Sequence, residues 1–275
     1  DEKLMPNTSN YAEVWNSELL DILIQGTLTS PFVTSNVRWV GAKTFHFTQM
    51  STSGYKNHSR NGGWNAGTYA QTDVPFTVTH DRDIEFLVDK ADVDETNATA
   101  SAQNISRVFE QTQVVPETDA LFFSTIAQKA QVTEGYFSST AAADYTKENV
   151  FGKLKTILSA GKLRRYRARG SLIMYVTSDI MDKLEQSTDF TRKIELTQIA
   201  EGGIGIETRV TEMDGVPIME VIDDERFYDK FNWEPDEGGF EPATGAHKIN
   251  VLVACGETCK TVPKISSIYF FAPGA

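Results

Sequence analysis

Seven carboxylates crowd residues 81–95 and form the densest group of side chains in the chain that could do chemistry. The segment contains only two bases, and its charged residues are Asp81, Arg82, Asp83, Glu85, Asp89, Lys90, Asp92, Asp94 and Glu95. Paired carboxylates serve glycoside hydrolysis, and an Asp-x-Asp pair can begin a calcium loop. This run lacks the glycine and the remaining ligands of such a loop. We therefore expect a solvated or intersubunit acidic face.

The other candidate nucleophiles and metal ligands are scattered along the chain. The four histidines are His46, His58, His80 and His247. A hairpin register could bring His46 opposite His80, and we expect a polar pair there in preference to a metal site. Cys255 and Cys259 have a spacing that is not the Cys-x-x-Cys of redox or zinc sites, which predicts two reduced thiols at a strand end. Because no hydrolase, P-loop or zinc-protease pattern occurs, we expect no catalytic residue, metal or cofactor.

A cationic run at residues 153–169 is the sharpest charge feature of the chain. Seven cations fall within its 17 residues and no acid separates them: Lys153, Lys155, Lys162, Arg164, Arg165, Arg167 and Arg169. Clustered cations of this kind can neutralise DNA phosphates. They can equally contact acids of a neighbouring subunit, such as those within residues 223–241. The acidic excess of the rest of the chain favours contact between subunits.

Composition narrows the class of protein. The chain has 275 residues, 40% hydrophobic and 23% charged, which is an ordinary globular composition. Its formal net charge of −12 argues against a general nucleic-acid binder. No apolar run reaches 18 residues, so the sequence predicts no segment that spans a membrane.

A long two-stranded ribbon is predicted at residues 37–88. Its first half places Val37, Trp39, Phe45 and Phe47 on alternate positions, and its returning half continues the alternation. The apolar residues of the returning half are Val74, Phe76, Val78, Ile84, Phe86 and Val88. Period-two alternation of β-branched and aromatic residues is typical of strands. A hairpin alone buries too little surface to be stable, so we expect a neighbouring subunit to cover it.

The tip of this ribbon, residues 51–70, contains four glycines and no acid. An insertion of about 20 residues without structure is uncommon in a compact domain unless it has a use. We therefore predict that the tip contacts another subunit. The residues expected to make this contact are Tyr55, Lys56, Arg60, Trp64 and Tyr69.

The remainder of the sequence predicts alternating helices and strands, hence an α+β fold with mixed sheets. Expected helices lie at 11–23, 99–113, 119–130, 146–158 and 178–186, and expected strands at 171–176, 204–210, 218–222, 249–254 and 265–271. Ile105 and Phe109 mark one apolar face of the helix at 99–113. Pro116 is expected to end that helix, and Ser178 is expected to cap a later one. Residues 223–245 are acidic and rich in glycine and proline, and predict a long loop.

Two segments resemble the major capsid proteins of tailed phages, most closely those of siphophages that infect Gram-positive bacteria. The first consists of residues 86–97, which include Asp-Val-Asp-Glu-Thr-Asn, and residues 108–120, which include Val-Val-Pro-Glu-Thr-Asp. The second is residues 172–184, which look like the strand and helix of the family's axial domain. The order of elements also matches over nearly the whole chain. The resemblance implies the Hong Kong 97-like capsid fold, with an N-terminal arm at 1–36 and an extended loop at 37–88. It further implies a peripheral domain with a spine helix at 89–131 and 246–275, and an axial domain at 132–245.

The function implied by this resemblance is structural. Such subunits assemble as hexamers and pentamers into an icosahedral phage head around double-stranded DNA, with no membrane involved. Scaffolding, portal and decoration proteins would be further partners, and the location would be the virion, assembled in the host cytoplasm. An encapsulin-like compartment shell is the alternative of the same fold. An acidic carbohydrate-active enzyme, suggested by the acids and by Trp39, Trp64 and Trp233, is a more distant one.

Overall fold

The computed structural model describes residues 26–34, 38–39, 43–58, 64–86, 102–187, 210–222 and 224–262. Over these ranges the chain is an α+β protein, as the sequence predicts. Its strands are β1 (Arg38–Trp39), β2 (Thr44–Thr52), β3 (Tyr69–Thr77), β4 (Leu172–Thr177), β5 (Val210–Met213), β6 (Val216–Val221), β7 (Phe231–Asn232), β8 (Glu241–Pro242) and β9 (Val251–Cys255). Its α-helices are α1 (Ala102–Phe109), α2 (Val115–Gln131), α3 (Val150–Leu158), α4 (Leu163–Arg167) and α5 (Ser178–Glu185).

β2 and β3 pair as the ribbon prediction requires, but its first half is not one strand, because Arg38–Trp39 form β1, which pairs antiparallel with β2. β2 and β3 pair antiparallel, with Thr44 opposite Thr77 and Thr52 opposite Tyr69. Nine residues at about 3.4 Å each give a ribbon roughly 30 Å long. Pro75 is tolerated because β3 is an edge strand, paired with β2 alone in the order β1-β2-β3. The predicted continuation of this strand to residue 88 is wrong as far as the structure describes it, since residues 78–86 are not in a strand.

One long helical segment runs from Ala102 to Gln131, and the predicted break near Pro116 is wrong. A π-helical turn, Glu110–Val114, joins α1 to α2. The amide of Val115 donates to the carbonyl of Glu110, the i−5 bond of a π turn. Pro116 therefore lies in the first turn of α2, where a missing amide breaks no α-helical bond. The helix continues because the π turn already interrupts the regular pattern at that point.

The centre of the molecule is a four-stranded mixed sheet in the order β5-β6-β4-β9. β4 pairs parallel with β6 and antiparallel with β9. β4 is buried along nearly its whole length, which confirms the predicted buried strand. A strand of this kind must be covered on both faces.

Helices cover both faces of this sheet. On the first face, Met174 of β4 packs with Leu154 of α3 and Ile180 of α5. On the second face, Tyr175 packs with Phe123 of α2, at 4.9 Å between ring centroids, and with Phe32. Alternate residues of one strand thus belong to two separate hydrophobic clusters.

Several predicted boundaries shift. α3 begins at Val150, because Thr146 to Asn149 form a separate turn in which the Thr146 amide donates to Asn149 Oδ1 at 2.9 Å. The N-cap of α5 is Thr177 and no side chain caps it, so the expected cap by Ser178 is wrong. The predicted loop at 223–245 holds a 3₁₀ turn, Asp224–Arg226, and the β7–β8 pair. The helix expected at 11–23 and the strand expected at 265–271 lie outside the described residues.

The longest described α-helix is α2, and no described helix combines the length and the apolar character needed to cross a bilayer. The predicted domain boundaries stay predictions.

Candidate functional site

Three aromatic side chains at the tip of the ribbon are exposed. Trp64 is 98% exposed, Tyr55 is fully exposed and Tyr69 is 76% exposed. All three belong to the predicted intersubunit set. An aromatic side chain of this size buries 150–250 Å² when it packs, and these make no such contact with the residues that the structure describes. The tip is therefore an apolar surface without a partner among the described residues.

Polar contacts hold the shape of the tip. The amide of Ser53 donates to the carbonyl of Thr68 at 2.8 Å, and the amide of Thr68 donates to Ser53 Oγ at 2.9 Å. Asn65 Nδ2 donates to the carbonyl of Asn57 at 3.0 Å. Lys56 is exposed and forms no ion pair with a described acid, while Arg60 lies outside the described residues. These bonds use backbone groups, the Ser53 hydroxyl and the Asn65 amide, so none of them involves the aromatic rings, which stay free to contact another molecule.

The base of the ribbon is stabilised by its own aromatic rings. Phe45 and Phe76 lie opposite each other in the register and stack at 5.8 Å between centroids. Phe47 meets both of them edge-on, at 5.6 and 5.7 Å. Aromatic pairs across strands stabilise a two-stranded ribbon. The ribbon thus holds its form up to the tip without covering the tip aromatics.

Residues 80–82 fasten the ribbon to the body of the protein. His80 Nε2 lies 2.6 Å from Oε1 of Glu117, and Arg82 Nη1 donates to the other oxygen of that carboxylate at 2.7 Å. Arg82 Nη2 also donates to the carbonyl of Gly239 at 2.9 Å, and the His80 ring meets Trp233 edge-on at 4.8 Å. A guanidinium and an imidazole on one carboxylate form a directional contact, so this clamp fixes the segment that follows β3 to α2 and to the turn before β8.

The predicted approach of His46 to His80 is wrong. His46 lies opposite Pro75 in the β2–β3 register, and His80 contacts Glu117 of α2 instead. The reason is that β3 ends at Thr77, so His80 is beyond the paired part of the ribbon.

The cationic run divides into paired and unpaired side chains. Lys155 Nζ and Arg167 Nη1 lie 3.6 and 3.5 Å from Oδ2 of Asp214. Arg169 Nη1 donates to Glu257 Oε2 at 2.9 Å. These three cations therefore meet acids of their own chain, and the predicted contact of the run with residues 223–241 of a neighbouring subunit stays a prediction. Exposed pairs of this kind contribute only about 0–1 kcal/mol each.

The other four cations differ in exposure and contacts. Lys153 Nζ donates to the carbonyl of Asp144 and lies 4.8 Å from the centroid of the Tyr145 ring. Lys162, Arg164 and Arg165 are exposed on α4 and on the turn before it. None of these three forms an ion pair with an acid in the described part of the chain. They are the cations available to a partner.

The apolar face of α1 lines a shallow, open groove of about 300 Å³. Phe86 and Phe109 meet there at 5.4 Å between centroids, with Ile105 and Val108 beside them. This confirms that Ile105 and Phe109 share one face. Both side chains are half-buried, and Val108 is 52% exposed. The groove is covered by none of the described residues.

A buried carboxylate, Asp119 of α2, ties together three parts of the chain that the sequence did not connect. Its oxygens accept from the amides of Leu28 and Thr29 at 3.1 and 3.2 Å and from Thr29 Oγ1 at 2.8 Å. Arg226 Nη1 donates to it at 3.0 Å. Burial raises the pKa of Asp119, and Arg226 and the Thr29 hydroxyl oppose that rise. Its position on the helix face of Phe122, Phe123 and Ile126 was the available signal, since an acid on an apolar face needs partners.

Glu110 opens the π-helical turn and is also buried. Its Oε1 has no hydrogen-bond partner among the described residues, and burial raises the pKa of its carboxyl to about 7. A carboxyl group held away from water keeps its proton more tightly because the charged form loses hydration. The sequence reasoning placed Glu110 in a regular helix and missed this environment.

Across the described residues, no group of three or more His, Cys, Asp or Glu side chains is placed to hold a metal ion. Asp89, Asp92, Asp94 and Glu95 lie outside them. Cys255 is the last residue of β9, as expected of a thiol at a strand end, and both it and Cys259 are free.

No protein-family model, no curated protein and no solved structure matches the chain.

Proposed function

We propose that the chain is a structural shell subunit, namely the major capsid protein of a tailed phage with the Hong Kong 97-like fold. Copies would assemble as hexamers and pentamers of an icosahedral head enclosing double-stranded DNA. The observation that carries this proposal is the ribbon, about 30 Å long, whose tip exposes Tyr55, Trp64 and Tyr69. A tip of this kind suits contact with a neighbouring copy.

Burial of the tip would supply the energy of such a contact. Each aromatic side chain buries about 150–250 Å², which at about 25 cal/mol per Å² is worth roughly 4–6 kcal/mol before the costs of association. Lys56 beside them would help to orient the two copies more than it would increase their affinity, since exposed charges mainly steer encounters and salt screens their interactions. A ribbon clamped at His80 and Arg82 presents this surface in a defined direction.

The positions of the tryptophans do not favour the enzyme alternative. Trp64 lies in the tip, beyond the ends of β2 and β3. Trp233 packs against His80 at the base of the ribbon and against Phe231 of β7, at 5.2 Å. With about 30 Å of ribbon between base and tip, these rings do not line one sugar-binding cleft.

Negative-stain electron microscopy of the purified chain tests the proposal. We expect rings or closed shells of uniform size. A compact monomer over all concentrations and salt conditions would refute it. Nucleic acid recovered from shells made in cells would favour the phage head over an encapsulin-like compartment, which would instead hold a protein cargo.

Trp64→Ala together with Tyr55→Ala should impair assembly and leave the subunit folded. The matched control is Phe137→Ala, which removes an exposed aromatic side chain away from the tip. Equal loss of assembly in the control would mean that general surface hydrophobicity is responsible, not the tip.

A further inference from the structure

Three cations of the chain form an outward surface on the short helix α4. Leu163 and Tyr166 point inward and pack on the hydrophobic cluster of the first face of the central sheet. Arg164 and Arg165 lie on the opposite side of α4, as the 100° step of a helix requires, and Lys162 is its N-cap residue. All three side chains are exposed. We call these three side chains the basic face. It forms no ion pair with a described acid, although the neighbouring cations Lys155, Arg167 and Arg169 do.

Three carboxylates form a matching surface on the turn between β7 and β8. Glu234, Asp236 and Glu237 are exposed and form no ion pair within the described part of the chain. We call them the acidic turn. It has a defined shape, because the amide of Glu234 donates to Asn232 Oδ1 at 3.2 Å and the amide of Gly238 donates to the carbonyl of Pro235 at 2.9 Å.

The basic face and the acidic turn lie on opposite sides of the central sheet. The basic face belongs to α4, which comes after α3 in the chain and packs on the side of the sheet that α3 and α5 cover. The acidic turn is held on the side of α2. Arg82 links Gly239 to Glu117 of α2, and Gln128 of α2 donates to the carbonyl of Asp229 at 3.0 Å. Within one copy the two surfaces face away from each other, whereas two copies arranged head to tail can bring them together.

We propose that the basic face of one copy docks on the acidic turn of the next copy. The inference rests on the proposed function, since it needs copies that assemble. Three cations meet three carboxylates, and guanidinium groups bind carboxylates in a fixed planar geometry. A contact between two different surfaces of identical subunits is heterologous, and such contacts close into rings when the rotation permits. Packaged DNA is the other polyanion that the basic face could bind, but the strongly acidic chain itself supplies the matched surface.

Charge reversal tests this pairing in protein free of nucleic acid. Arg164→Glu with Arg165→Glu, and separately Asp236→Arg with Glu237→Arg, should each raise the subunit concentration needed for assembly by about tenfold at low salt. Mixing the two variants, or combining all four changes in one chain, should restore most of this loss. In high salt the differences should shrink, because screening weakens exposed charges.

The matched control is Lys129→Glu with Lys147→Glu, which changes the net charge as much as the arginine reversal does but leaves the basic face intact. It should assemble at a concentration close to that of the unmodified chain. Circular dichroism of every variant verifies folding, and Arg164→Gln with Arg165→Gln provides a milder form of the same test.

The outcomes separate the inference from the proposed function. Normal assembly of both reversed variants, beside normal assembly of the unmodified chain, would overturn the head-to-tail contact and leave the shell proposal standing. Normal empty assembly of the arginine variant with loss of DNA retention would assign the basic face to nucleic acid instead. An unmodified chain that never assembles would overturn both.

Discussion

Replacing Asp119 with alanine should destabilise the subunit strongly. The side chain is fully buried and accepts four hydrogen bonds: from the Leu28 amide, the Thr29 amide and hydroxyl, and Arg226 Nη1. Its removal takes away the carboxylate that pairs with the largely buried Arg226 guanidinium. Breaking a buried ion pair by removing one partner costs about 3–5 kcal/mol, and unpaired buried amides add to the penalty. We expect a loss of about 4 kcal/mol in the free energy of unfolding.

Urea unfolding followed by far-ultraviolet circular dichroism, at concentrations where the chain is monomeric, measures this loss. The control is Asp182→Ala, an exposed acid of α5 without a described ion pair, which should change stability by less than about 0.5 kcal/mol. The double variant Asp119→Leu with Arg226→Met should be more stable than Asp119→Ala alone, since it replaces both members of the buried ion pair with apolar side chains. If Asp119→Ala unfolds at the same urea concentration as the unmodified chain, the contacts described around Asp119 do not contribute as argued.

Two further substitutions test the helical segment. The pKa of the Glu110 carboxyl is raised from 4.5 to about 7, so between these pH values the folded state keeps a proton that the unfolded state releases. The free energy of unfolding is therefore highest below pH 4.5. It falls by roughly 3 kcal/mol in total as the pH rises to about 7. Glu110→Gln should remove most of this dependence in urea titrations from pH 5 to pH 8, and an unchanged profile would exclude Glu110 as its source. Phe109→Ala should cost about 1–2 kcal/mol, because its ring is only half-buried; a loss near 4 kcal/mol in the monomer would mean that the groove of α1 is covered.

Local patterns predicted the ribbon and the buried strand well. The alternation of Phe45 and Phe47 on one strand and Phe76 on the other is set by the pleat itself, so neighbouring residues suffice to recognise it. β4 was recognisable for a similar reason, as a short apolar run bounded by Gly170 and a helix start. The end of β3 could not be predicted in this way, because the alternation continues through Ile84 and Phe86 although the pairing stops at Thr77.

The features that were missed depend on contacts distant in sequence or on unusual helical geometry. Asp119 and Arg226 are 107 positions apart, and neither residue signals the other. Pro116 favours a helix end in ordinary α geometry, but the π turn at Glu110–Val114 removes that constraint. The cationic run was visible as a run, yet only the fold shows that Asp214 and Glu257 pair with three of its members. The sequence therefore identified the cationic run but could not show which of its cations pair within the chain and which remain exposed.

Sedimentation velocity of a chain with a shortened ribbon, compared with the unmodified chain, tests the central claim most directly. Residues 54–67 are replaced by Asn-Gly, which favours a tight two-residue turn between antiparallel strands and keeps Ser53 opposite Thr68 in the register of β2 and β3. The fold should survive, because the aromatic rings of Phe45, Phe47 and Phe76 and the clamp on Glu117 are retained. We predict a folded subunit that sediments as small species where the unmodified chain forms large closed assemblies. Shells of normal size and stability from the shortened chain would contradict the account.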